Sequence, residues 1–280
     1  MEINKIYNED CIITMNNIIE SQDVQPVNII LTSPPYNTAR HSNSNKDKRM
    51  QNYEMRYSQY EEVKTLEEYN NWMIDIFNHY DKILSENGVI LFNISYGNEN
   101  PNQLWLLLAD ILNKTNFMIA DVIVWKKSNA LPNNQSHNKL TRICEFVFVI
   151  CRKNEFLTYT ANKTVSSTAK TGQKFYNAIY NIVEAKNNDG VNKLNKATFS
   201  EDLVTELLSM YCPRKDSENI LVYDSFMGTG TTAIGCIKYG VNYIGSEIDK
   251  EQCEIAQKRI FGHSLKDINK NVHKNVKKLF

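Results

Sequence analysis

The chain has no net formal charge, 32 Lys or Arg standing against 32 Asp or Glu in 280 residues, so no overall basic field marks a nucleic-acid partner. It also has no C-x-x-C pair. Its six cysteines (Cys11, Cys144, Cys151, Cys212, Cys236 and Cys253) and five histidines show no ligand spacing, which argues against a metal site and for reduced packing thiols in a cytoplasmic protein. No apolar run reaches membrane-spanning length and the opening Met-Glu-Ile-Asn-Lys is not a signal peptide, so no membrane contact is expected. What the composition does supply is 42% apolar residues, enough to bury a sizeable core in one large α/β domain with an insertion.

The zero average conceals a polarised stretch. From Lys126 to Lys196, twelve Lys or Arg face four Asp or Glu, an excess that either solvates a loop face or forms a footprint for phosphates.

Apolar spacing sets out the elements. Ile12, Ile13, Met15, Ile18 and Ile19 predict a short helix after Asn8-Glu9-Asp10-Cys11, and Val27 to Leu31 a buried strand. Helical spacing returns from Leu66 to Leu84 and stops at Asn87-Gly88. Val89 to Ile94 is the next strand, a helix runs from near Pro101 to Lys114, and strands follow at Ile119 to Trp125 and Glu145 to Cys151. Residues 38–62 lack a sustained period and read as a mobile surface loop; residues 152–195 lack one too and read as an insertion. Ser200 caps a helix faced by Leu203, Val204, Leu207, Leu208 and Met210. A strand from Ile220 to Tyr223, a Gly-rich turn, a helix to Tyr239, a strand from Asn242 to Ser246 and a helix from Lys250 to Ile260 follow, with a basic tail over 266–280. The βαβ alternation at both ends predicts a mostly parallel sheet with helices on both faces.

Two turns stand at carboxyl ends of these strands, the edge where open α/β folds bind ligands. In Thr32-Ser33-Pro34-Pro35-Tyr36-Asn37 the two prolines forbid helix, remove two donors and leave carbonyls free to accept, with an aromatic ring just beyond. That suits a flat ligand bearing an amino group, although Pro-Pro alone is also an ordinary turn. In Asp224-Ser225-Phe226-Met227-Gly228-Thr229-Gly230-Thr231-Thr232 the glycines let backbone N–H groups approach an anionic or carboxylate-bearing ligand at a helix start. A P-loop would need a Lys after the second Gly, and a Rossmann dinucleotide site a third Gly; both are missing. Glu247, about twenty residues on and directly after Tyr243-Ile244-Gly245-Ser246, stands where a carboxylate accepts both hydroxyls of a ribose.

These residues carry a resemblance. Asp-Ser-Phe-Met-Gly-Thr-Gly-Thr-Thr resembles the S-adenosylmethionine motif of amino-methylating DNA methyltransferases, usually Asp-Pro-Phe-x-Gly-Ser-Gly-Thr-Thr, and Thr-Ser-Pro-Pro-Tyr resembles their catalytic motif. Counterparts of their other pieces lie at Asn8 to Cys11, Val124 to Asn129, Lys196 to Leu203 and Tyr243 to Asp249. Ser225 stands where Pro is common, and Ser246 where an apolar residue is frequent. Because the catalytic motif comes first, the order is that of the permuted β group. The resemblance implies a Rossmann-like α/β methyltransferase fold over 1–151 and 196–265, with 152–195 as a target-recognition insert where the positive excess lies.

What the resemblance implies for the site is specific. Asp10, Cys11, Thr32, Asp224, Phe226, Gly228, Gly230, Thr231, Thr232 and Glu247 would bind S-adenosylmethionine, and Ser33, Pro34, Pro35 and Tyr36 would hold the amine of a flipped base. No metal is implied. Methylation at cytosine C5 is disfavoured, since it needs a Pro-Cys nucleophile and the chain has only Cys212-Pro213. Ser before Pro-Pro is commoner among cytosine-N4 enzymes, Asp or Asn among adenine-N6 enzymes, so N4 is expected and N6 is the alternative. An idle DNA-binding protein of the same fold is the reading of another class, at odds with the intact Ser33 to Tyr36 motif. Double-stranded DNA is the expected partner, with Arg40, Lys46, Lys48, Arg49, Lys163, Lys170 and Lys174 as candidate contacts. The family admits a cognate restriction endonuclease and a homodimer without requiring either.

Overall fold

Residues 1–21, 23–37, 64–95, 101–130, 132, 137–187, 199–213 and 219–276 are described by the computed structural model. Their elements are β1 (Lys5–Tyr7), α1 (Cys11–Glu20), β2 (Val27–Thr32), α2 (Leu66–Ile83), β3 (Leu84–Ile94), α3 (Gln103–Lys114), β4 (Phe117–Lys127), β5 (Cys144–Arg152), β6 (Val165–Thr168), β7 (Lys174–Tyr176), β8 (Ile182–Ala185), α4 (Glu201–Tyr211), β9 (Leu221–Asp224), α5 (Thr231–Tyr239), β10 (Asn242–Ser246) and α6 (Lys250–Val276).

Eight strands form one sheet in the order β1-β10-β9-β2-β3-β5-β4-β8. Seven run in one direction and β5 alone is reversed, antiparallel to both β3 and β4. Alternation along β2 divides the core: Ile29 and Leu31 pack with α4, α5 and α6 on one face, Ile30 with α1, α2 and α3 on the other. On the second face Phe77 meets Tyr80, Phe92 and Phe117 edge-on at 5.2, 5.3 and 5.8 Å, each such pair contributing about 1 kcal/mol beyond its buried area.

Local chemistry fixes the helix starts. Asp10 Oδ1 accepts from the Ile12 N–H at 2.8 Å to cap α1, Thr65 and Glu68 form a reciprocal capping box on α2, and Ser200 Oγ accepts from the Leu203 N–H to cap α4. Several expected boundaries differ. α2 ends at Ile83, because Leu84 is already extended and pairs with Val27 across a register break. Arg152 of β5 donates to the Asp81, Leu84 and Ser85 carbonyls and so satisfies that helix end. α6 continues past Ile260 to Val276, taking in part of the expected tail. Within 152–195 the β6–β7 ribbon stands outside the sheet, whereas β8 extends the sheet beside β4. The loop expected over 38–62 lies outside the described residues. Among the described residues no helix is long and apolar enough to cross a membrane.

Candidate active site

Strand direction gathers the two turns. β10, β9, β2 and β3 end at a common edge, and β5, being reversed, begins there. α1 starts beside it: Asn8 Nδ2 donates to the Glu247 carbonyl at 2.8 Å, and the Glu247 N–H donates to the Tyr7 carbonyl at 3.0 Å.

Asp224 joins the turns from within. Its buried carboxylate accepts from Thr32 Oγ1 at 2.7 Å, Thr232 Oγ1 at 2.6 Å and the Phe226 N–H at 3.0 Å. Burial raises its pKa to about 6 against the pull of those three donors. Ser225 Oγ is bonded to Tyr80 OH of α2, so the serine in the usual proline place anchors the turn to the core.

The glycine turn is held open from outside. Gly228 and Gly230 have φ of 53° and 82°, the left-handed region that favours glycine. A Cβ on Gly230 would lie 2.9 Å from Ala256 Cβ of α6. Arg259 of α6 donates to the Thr229 carbonyl at 2.7 Å, to Thr229 Oγ1 at 3.0 Å and to Glu201 Oε1 at 3.0 Å. Glu247 accepts from the Gly228 N–H at 2.7 Å and the Asp249 N–H at 2.8 Å. Its pKa is raised to about 7, chiefly by burial. A carboxylate offers about four acceptor directions; two are in use and two remain for paired hydroxyls. That acceptor, with the amide donors of the first turn of α5, fits a nucleoside bearing a carboxylate tail.

The proline turn carries a polar chain. Ser33 Oγ donates to Tyr36 OH at 3.3 Å, and Tyr36 OH lies 3.3 Å from Glu145 Oε2 and 3.4 Å from Asn93 Oδ1. Glu145 is ion-paired with Lys127. Tyr69 OH donates to the Pro35 carbonyl at 2.7 Å, while among the described residues no donor reaches the Pro34 carbonyl. Tyr36, Tyr69, Ser95, Gln103 and Leu107 line a small cavity, and Gln103 Nε2 is buried there without a partner among the described residues.

Of the expected site residues, Thr32 and Thr232 each meet Asp224, and Gly228 meets Glu247. Asp10 is occupied capping α1, Cys11 is buried with its thiol pKa raised by that burial, and Phe226 packs 5.5 Å from Trp72. Lys163, Lys170 and Lys174 are exposed on and around the β6–β7 ribbon. Arg40, Lys46, Lys48 and Arg49 lie outside the described residues. Glu145, Lys127, Asn93 and Arg259 were not singled out by sequence. An acidic residue opening a strand beside a basic one closing its neighbour was the one available signal for the first two.

A family model of N6/N4 type, described as a DNA methylase, matches residues 27–258. Type II methyltransferase M.BglII of Bacillus subtilis is 25% identical over 277 residues, spanning 93% of this chain and 69% of that protein. The structure of the M1.HpyAVI-SAM complex overlays with a TM-score of 0.59 at 20% identity, covering 91% of this chain and 98% of that one. PvuII DNA methyltransferase, described as cytosine-N4-specific, overlays with a TM-score of 0.62 at 15% identity, covering 90% and 84%.

Proposed function

The chain belongs to the N6/N4 DNA methylase family, and from that premise we propose that it methylates the exocyclic N4 of cytosine in duplex DNA, with S-adenosylmethionine as donor and the base turned out of the helix. One observation carries this reading. Ser33 Oγ gives its only hydrogen to Tyr36, so its lone pairs, with the Pro34 carbonyl, would serve an amine as acceptors.

An exocyclic amine is a poor nucleophile because its lone pair is delocalised into the ring. Accepting its two hydrogens at Ser33 Oγ and the Pro34 carbonyl favours a pyramidal nitrogen and localises that pair. When bound, S-adenosylmethionine supplies an electrophilic methyl on a positively charged sulfur. Glu247 would hold its ribose, and the amides of the first turn of α5 its carboxylate. Asp224, buried and already accepting from three internal donors, would support the turn instead of touching the ligand.

Tyr36 would stack on the base, returning roughly 1 to 3 kcal/mol of the few that flipping costs. The unpaired Gln103 donor suits an acceptor on the base's pairing edge, since cytosine presents N3 and O2 beside its amine. Phosphate contacts would come from Lys163, Lys170 and Lys174 of the 152–195 insert, which adds positioning and salt dependence without base readout.

The test is to incubate the protein with labelled S-adenosylmethionine and mixed-sequence duplex DNA, digest to nucleosides and identify the labelled product by mass. N4-methylcytosine is expected. N6-methyladenine would overturn the base assignment alone, and absence of any labelled nucleoside in the presence of bound cofactor would overturn the activity.

A further inference from the structure

We propose that Glu145 is a positioning residue for methyl transfer: acting through Tyr36, it fixes the Ser33 hydroxyl as an acceptor and terminates the path along which the amine's proton leaves. This rests on amine methylation at Ser33 but not on which base carries the amine.

The geometry forms a directed chain. Ser33 Oγ has one hydrogen and donates it to Tyr36 OH at 3.3 Å. The phenol has one hydrogen in turn, with Glu145 Oε2 at 3.3 Å and Asn93 Oδ1 at 3.4 Å as acceptors. A charged acceptor is favoured over a neutral one, and Asn93 is itself anchored by donating from Nδ2 to the Phe146 carbonyl at 3.0 Å. The phenol keeps its proton available, because burial and then the Glu145 charge raise its pKa well above the ordinary value.

Glu145 and Lys127 have side chains only 16% and 15% exposed, and the Lys127 ammonium also sits 5.0 Å from the Trp125 ring centroid. A largely buried ion pair is weak evidence for stability, since apolar replacements are often neutral or better. Its place on the hydroxyl chain gives it a use that packing alone does not.

The step balances. The amine nitrogen forms its bond to the methyl carbon as the carbon–sulfur bond breaks with its electron pair to sulfur, leaving nitrogen cationic. One N–H proton passes to Ser33 Oγ, the Ser33 hydrogen to Tyr36, and the Tyr36 hydrogen to Glu145. The resulting carboxyl then releases its proton to solvent. The groups that reach Glu145 are Lys127 on β4 and Tyr36 after β2, with Ser33 and Asn93 of β3 bonded to the same Tyr36 hydroxyl. Lys127 is the single cation among these groups.

The experiment is single-turnover methylation of duplex DNA by the wild-type chain, Glu145→Gln, Glu145→Asp and the double variant Glu145→Gln/Lys127→Met, beside binding constants and thermal midpoints. For Glu145→Gln the expected rate loss is about a hundredfold, the usual scale for removing a proton-transfer group. S-adenosylmethionine and DNA affinities should stay unchanged, with partial rescue in Glu145→Asp. The double variant, which leaves no unpaired lysine, should be as slow as the single. Rates within about threefold of wild type, or rate losses matched by lost binding, would overturn the proposal. Wild type that labels no DNA amine would instead overturn the methylation reading, and this one with it.

Discussion

The Thr32 hydroxyl donates to Asp224 Oδ1 at 2.7 Å across 192 positions of sequence, tying the end of β2 to the end of β9. The same carboxylate holds Thr232 at the start of α5 and the Phe226 amide. The turn that would hold the amine and the turn that would hold the cofactor are therefore parts of one buried assembly. Movement of one strains the other.

Asp224→Ala should leave two buried hydroxyls and the part-buried Phe226 amide without an acceptor, at about 1 to 3 kcal/mol for each buried group, a summed loss large enough to threaten folding. Asp224→Asn keeps an acceptor for Thr32 and the Phe226 amide and removes a buried charge, so it should fold. Urea unfolding of the two variants checks the order. Equal destabilisation would mean that the charge matters and the hydrogen bonds do not.

Glu247 gives stability and cofactor binding opposite responses to pH. Its folded pKa of about 7 lies above the ordinary 4.5, so the folded state binds more protons between those values. Its contribution to stability is full below the ordinary value and lost as pH rises through about 7. Asp224, raised to about 6 from 3.8, acts with the same sign. Ribose hydroxyls need the ionised carboxylate as acceptor. Cofactor-free protein should therefore melt at lower temperature at pH 8 than at pH 6, while the stabilisation given by S-adenosylmethionine grows over that range. Glu247→Gln should bind the cofactor weakly and without this pH dependence, measured by calorimetric titration. A wild-type affinity that is flat with pH would remove Glu247 from the ribose.

Much of this arrangement was legible because strand ends announce themselves. Mostly apolar stretches located β2, β9 and β10, and the residue after each strand, Ser33, Ser225 or Glu247, falls at the binding edge by strand direction alone. α2 was read too long because its end is set by Leu84 pairing with Val27, a tertiary contact that local spacing does not carry. β8 was missed because four residues with two inward positions do not rise above the polar stretch around them. Glu145 reaches the site only because β5 is reversed, and Arg259 reads on its own as a solvated charge on a helix. Their partners are long-range, so their roles followed only from the packed structure.

Arg259→Ala should loosen the glycine turn while leaving the core intact. It would free the Thr229 carbonyl and hydroxyl, whereas Glu201 would still face Lys238 at 2.5 Å and His263 at 3.7 Å. A charge-assisted hydrogen bond is worth about 1.5 to 3 kcal/mol. S-adenosylmethionine affinity should accordingly fall at least about tenfold with a small change in thermal midpoint. Unchanged affinity would mean that the turn keeps its shape without α6.

Gly230→Ala tests that same dependence from the other side. An alanine there must adopt a φ of 82°, costing about 1 to 2 kcal/mol. Its Cβ also meets Ala256 at 2.9 Å from Cβ and 3.2 Å from Cα, and the second contact is backbone, which cannot swing aside. Overpacking adds about 1 to 3 kcal/mol. Ala256→Gly in the same molecule removes only the side-chain part of the clash, so the double variant should recover part of the stability lost and none of the φ penalty. If the double variant unfolds in urea at the same midpoint as Gly230→Ala alone, the backbone conformation of the turn sets the requirement for glycine. Substantial recovery means that the close approach of α6 sets it, and Arg259 and Gly230 then serve one purpose, holding the turn against that helix.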